Sequence, residues 1–117
     1  MSHSQIVVEY LDSRSRSPFG VWFRRLDATV AARVALVLLR IEQGMLSSVH
    51  SAGGGIFEYR IDAGPGYRIY FGKDGGQLIV LLGGSTKRRQ QESIDAAKAA
   101  WRDYQARKEA VSLKSWH

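Results

Sequence analysis

The chain has 117 residues, 44% hydrophobic and 24% charged, and its 17 lysines and arginines against 11 acidic residues leave a net charge of +6. This mixture excludes a disordered chain and suits one domain around one core; the longest apolar run, 34–39, has six residues, where a membrane span needs about 18. The absence of cysteine excludes disulfides, thiolate metal sites and cysteine nucleophiles, and with no basic, apolar leader in Met1-Ser2-His3-Ser4-Gln5 it predicts a cytoplasmic protein.

Residues 5–11 (QIVVEYL) are β-branched and aromatic and predict a first strand. A polar, arginine-bearing turn over 12–17 leads to Pro18, which sits where a helix accepts proline, in the first turn. Phe19, Trp22, Phe23 and Leu26 follow at helical spacing and predict a short amphipathic helix over 19–26. A second helix runs from Asp27 or Ala28 to Gln43, with Val30, Val34, Val37, Leu38 and Ile41 as one apolar stripe and Gly44 as its stop. Beyond it, 47–55 is small, polar and glycine-rich, a loop or a weak edge strand; Gly53-Gly54-Gly55 lacks the Lys-Ser/Thr and the following helix of a phosphate loop.

The period then changes. Phe57, Tyr59 and Ile61 alternate with Glu58, Arg60 and Asp62, and Tyr67, Ile69 and Phe71 alternate with Arg68 and Tyr70, across a turn at Ala63-Gly64-Pro65-Gly66. After a second turn at 73–76, the apolar run 78–82 predicts a central strand covered on both faces. Gly83-Gly84-Ser85-Thr86 breaks that strand, Lys87-Arg88-Arg89 follows, and a last helix over 90–108 places Ile94, Ala97, Trp101 and Tyr104 on one face. Residues 111–117 carry no readable pattern. The fold class is α+β: an N-terminal strand, a helical hairpin, an antiparallel sheet of three to four further strands and a C-terminal helix, with one domain over 1–110 and a tail over 111–117.

The vocabulary of acid–base and metal catalysis is thin, since His3 and His117 are terminal and only His50 is internal. The cations are more informative. If Ile61 pairs with Tyr67, then Arg60 faces Arg68 across the hairpin, and like charges directly opposite disfavour a sheet unless something counters them. Glu58 and Asp62 on the same face offer one answer, a surface network; an anion held between the arginines is the other. Lys87-Arg88-Arg89 precedes a helix N-terminus, whose free N–H groups and positive dipole end already favour an anion. Arg60, Arg68 and this cluster together predict a basic face, with Tyr70 offered as a stacking surface for a base.

The sequence resembles the RelE/ParE superfamily of type II toxins, in particular its HigB-like branch of addiction module killer proteins. The resemblance rests on Trp22-Phe23-Arg24-Arg25-Leu26-Asp27, on the hairpin from Phe57 through Gly64-Pro65-Gly66-Tyr67-Arg68 to Gly72, on Leu81-Leu82-Gly83-Gly84-Ser85-Thr86-Lys87-Arg88-Arg89-Gln90-Gln91, and on the last helix. It implies a microbial-ribonuclease-like fold, cleavage of mRNA on the ribosome without cofactor or metal, and neutralisation by a cognate helix-turn-helix antitoxin of the HigA type, through which alone operator DNA is bound. Carried onto this chain, it implies that Arg68 and Lys87 stabilise the transition state, and that Arg60 and Arg88 hold flanking phosphates. Glu58 or His50 accepts the 2′-OH proton, and Arg89, Lys73 and Tyr70 complete the RNA-binding set. His50 stands where relatives carry a lysine, and the tyrosine or histidine acid found near their C-termini has no counterpart. ParE-type members act on DNA gyrase instead, so a non-enzymatic toxin is the alternative the resemblance leaves open.

Overall fold

A computed structural model describes residues 4–108 and 113–117 of the chain; His3 and the first two residues of the expected tail, 111–112, lie outside the described residues. The first strand forms as expected, β1 (Ile6–Tyr10). Ser17 caps the first helix, α1 (Pro18–Arg24), by accepting the Gly20 N–H at 2.8 Å, and Pro18 occupies its first turn. Asp27 caps α2 (Ala28–Glu42) in the same way, accepting the Val30 N–H at 3.0 Å. Gly44, at φ 79°, takes the left-handed turn that stops this helix.

Four strands follow: β2 (Val49–Gly53), β3 (Ile56–Ile61), β4 (Tyr67–Asp74) and β5 (Leu78–Thr86). A 3₁₀ turn (Lys87–Arg89) then runs into α3 (Gln90–Ala106), and the chain ends in β6 (Leu113–Ser115). The fold is α+β, with six strands in the order β2-β3-β4-β5-β1-β6.

The sheet departs from expectation in three places. The four strands β2 to β5 are antiparallel as expected, but β1 lies along the free edge of β5 in the parallel sense and makes the whole sheet mixed. Residue alternation specifies which face of a strand is buried, but not which edge it joins or in which direction. Second, the glycines at 83 and 84 do not break β5, which continues to Thr86 in register with β4 past a one-residue bulge at Leu82. Third, the patternless C-terminal segment adds β6 to the outer edge of β1, and Trp116 there packs against the core and donates to Glu42 at 3.0 Å.

Helices cover both faces. On one, Phe19 of α1 and Val34, Val37, Leu38 and Ile41 of α2 pack on Val7, Tyr59, Ile61, Ile69, Phe71, Ile79 and Leu81. On the other, Ala97, Trp101 and Tyr104 of α3 pack on Tyr10, Ile56, Tyr70, Val80 and Leu82. The 78–82 run is therefore central and covered on both sides, as its continuous apolarity predicted. Two glycines let indole rings reach the sheet. A Cβ on Gly72 would stand 2.4 Å from Trp101, and one on Gly84 would stand 2.3 Å from Trp22. Two tyrosine–aspartate contacts fasten α3: Tyr10 to Asp103, which also holds Arg107, and Tyr104 to Asp74 at 2.6 Å.

Candidate nucleic-acid interface

The β3–β4 hairpin has the expected register, with Ile61 opposite Tyr67, Tyr59 opposite Ile69 and Arg60 opposite Arg68. Across the next ladders, His50 stands opposite Glu58, and Ser85 opposite Arg68. Because cross-strand partners share a face, His50, Glu58, Arg60, Arg68 and Ser85 lie on the α3 side of the sheet.

Glu58 organises this group. Its Oε1 accepts from Arg60 Nε at 3.1 Å and from Arg60 Nη2 at 3.0 Å. Its Oε2 lies 3.8 Å from Arg68 Nε, too far for a hydrogen bond, and both atoms are enclosed without a hydrogen-bond partner. One carboxylate thus faces two guanidinium groups and leaves an excess positive charge in a poorly solvated place. Asp62, the second acid expected to neutralise the pair, is exposed and makes no ion pair among the described residues.

Burial corrects two expectations. Arg68 was expected on an exposed face, yet only 7% of it is accessible, because α3 covers this side of the sheet as well. Its Nε is enclosed, while its terminal nitrogens retain access to solvent. Tyr70 is completely buried, with its hydroxyl 3.0 Å from Ser85 Oγ, so it is a core residue and offers no ring face to a base. Burial, above all, raises the Tyr70 pKa, and nearby Glu58 adds to the rise against the opposing effects of Ser85 and Arg68. The alternation of one strand shows its two faces, but it does not show that a later helix will cover the second.

Lys87 joins the group through the backbone. Its N–H donates to the Gly66 carbonyl at 3.0 Å, pinning the 3₁₀ turn against the hairpin turn beside Arg68. Lys87, Arg88 and Arg89 are all exposed. Lys73 does not join them. It lies an odd number of residues from Arg68, on the opposite face, and its ammonium sits 4.5 Å from the centroid of the Phe57 ring. Arg89 turns to a cleft shared with Trp22 and Arg25. Ser85 is the site residue that sequence reasoning missed; it was hidden in the glycine-rich stretch read as a strand break. Among the described residues, no group of three His, Cys, Asp or Glu side chains could hold a metal ion, and no helix is long and apolar enough to cross a membrane.

The fold and this site define a small α+β protein with a cation-rich surface where the hairpin meets the end of β5. A protein of Haemophilus influenzae strain Rd, named only as an uncharacterized protein, is 36% identical over 81 residues, which are 68% of this chain and 82% of that one. The chain belongs to the family of that protein. No family model matches the chain, and no solved structure matches it.

Proposed function

We propose that this protein is the toxin of a type II toxin–antitoxin pair, an endoribonuclease that cuts mRNA on the ribosome. The observation that carries the reading is the opposed Arg60–Arg68 pair, undercompensated by Glu58, with Lys87 pinned beside it. In the reaction, the 2′-oxygen of one nucleotide attacks the adjacent phosphorus, the bond to the 5′-oxygen breaks, and that oxygen takes a proton from solvent. Negative charge grows on the phosphate oxygens, where fixed cations stabilise it most. Arg68 reaches the phosphate through its terminal nitrogens, Lys87 contributes from the 3₁₀ turn, and Arg60 and Arg88 hold neighbouring phosphates. His50, exposed opposite Glu58, receives the 2′-OH proton; Glu58 is enclosed and engaged by Arg60, so its part is to fix the arginines. A site this poor in acid–base groups leaves in-line positioning of the 2′-OH to the ribosome. The antitoxin, a helix-turn-helix protein, covers the same surface, and the pair works in the cytoplasm.

The burial of Arg68 favours a second reading, in which the Glu58–Arg68 contact is structural and the toxin binds a protein target such as DNA gyrase. One experiment separates the two. Purified protein is added to a cell-free translation reaction and new mRNA 5′ ends are mapped. Cuts in phase with codons, lost in Lys87→Ala, are the expected result. Intact mRNA together with inhibited DNA supercoiling selects the second reading.

A further inference from the structure

We propose that the cleft between α1 and the end of β5 is a binding site for a nucleoside phosphate, either free or as one unit of a single-stranded chain. The inference stands apart from the cleavage reading, because it concerns binding alone.

The cleft exists because β1 is short. Its ladder with β5 ends at Glu9–Leu81, so the last residues of β5 have no strand on that side. The space beside Gly84, Ser85 and Thr86 is walled instead by Val21 and Trp22 of α1 and has a volume of about 490 Å³. That lies within the range of roughly 300–1,000 Å³ usual for small-molecule sites. Trp22 is a firm wall, seated on Gly84 on one side and with its ring centroid 5.8 Å from that of Phe19.

Three arginines line the opening from three separate segments: Arg16 before α1, Arg25 after it, and Arg89 in the 3₁₀ turn. None makes a side-chain hydrogen bond or an ion pair among the described residues. Other cations are engaged, Arg60 by Glu58, Arg107 by Asp103 and Lys108 by Asp74, while Arg16, Arg25 and Arg89 keep their guanidinium groups available. Two acids also line the cleft. Asp12 is committed to its own turn, accepting the N–H groups of Arg14 and Arg16 at 2.8 and 3.0 Å, and these bonds lower its pKa. Glu92 is exposed in the first turn of α3. Three guanidinium groups against two carboxylates, of which Asp12 interacts with Arg16, leave the cleft one positive charge in excess, and a phosphate with its several oxygens is held through guanidinium forks. The indole and Val21 beside them suit a planar, apolar-faced group attached to that phosphate. The edge of β5 left without a strand runs from Leu82 to Thr86, long enough for an added peptide strand, which is the competing occupant.

The test is calorimetric titration of the full chain with adenosine and guanosine 5′-monophosphates, the nucleosides, inorganic phosphate, and a 2′-O-methyl RNA oligomer that cannot be cleaved. We expect a monophosphate to bind about tenfold more tightly than either nucleoside or phosphate, and Arg25→Ala and Arg89→Ala each to weaken it about tenfold. Arg102→Ala, exposed on α3 outside the cleft, should leave binding unchanged. Tighter binding of the oligomer than of the monophosphate assigns the site to a chain, and the reverse assigns it to a free nucleotide. Equal binding by Arg25→Ala, Arg89→Ala and Arg102→Ala overturns the proposal. So does a protein that takes up an acidic peptide in this cleft and no nucleotide.

Discussion

At the scale of single residues, the balance of charge around Glu58 governs both stability and the surface. Arg68→Ala removes a buried side chain and its contact with the enclosed Glu58 Oε2, while Arg60 still balances the carboxylate, so we expect a loss of about 1–3 kcal/mol, mostly from packing. Arg60 is the contrast. Its side chain is 45% exposed, and Arg60→Ala should cost less than about 1 kcal/mol. Urea denaturation of both variants decides it, and an Arg68→Ala protein as stable as the parent would show that the buried contact contributes nothing. The close approach at Gly84 gives a second expectation. Gly84→Ala puts a methyl into the Trp22 ring and should destabilise by about 1–3 kcal/mol through overpacking. Gly76→Ala, with nothing within 4 Å of the new Cβ, serves as the neutral control. The pairing of Arg60 with Arg68 was legible in the sequence, since alternation and a tight Gly-Pro-Gly turn fix the register. The burial of Arg68 was not legible, because it depends on a helix contributed from the other end of the chain.

At the scale of elements, the attachment of α3 makes stability depend on pH at both extremes. Asp103 is held down to about 2 by its hydrogen bonds to Arg107 and Tyr10, against an ordinary value of 3.8. A depressed carboxylate contributes stability above its unfolded pKa and loses it as pH falls through the folded one. The contribution should therefore fade between about pH 4 and pH 2, and Asp103→Asn should flatten the acid limb of a stability–pH curve. Tyr10 and Tyr104 are raised from 10.0 to about 12, by burial first and then by their aspartate partners. Raised groups act in the opposite sense, so their contribution is complete below pH 10 and is lost as pH climbs towards 12. An unchanged acid limb in Asp103→Asn would mean that α3 is held by its apolar face alone. That face, Ala97, Trp101 and Tyr104, was readable from helical spacing; the aspartate partners, 93 residues from Tyr10 and 30 from Tyr104, were not.

At the scale of the whole molecule, a net charge of +6 creates a field that draws in acidic or phosphate-bearing partners. Association with the proposed antitoxin should be fast at low salt and slow markedly as ionic strength rises, because screening shortens the reach of that field. Stopped-flow measurement across a salt series checks this, and a rate indifferent to salt would exclude electrostatic capture. The sequence by itself determined the two consecutive helices α1 and α2 with their caps, the β3–β4–β5 meander, the doubly covered central strand and the apolar face of α3. Each is written in a local period, a cap or a turn residue. Only the tertiary structure decided that β1 runs parallel to β5, that β6 closes the outer edge and that Tyr70 is core. It also decided that Arg16, Arg25 and Arg89 meet around Trp22. These facts depend on which edges and faces distant segments share, and that choice is made by the packing of the whole chain rather than by any window of it.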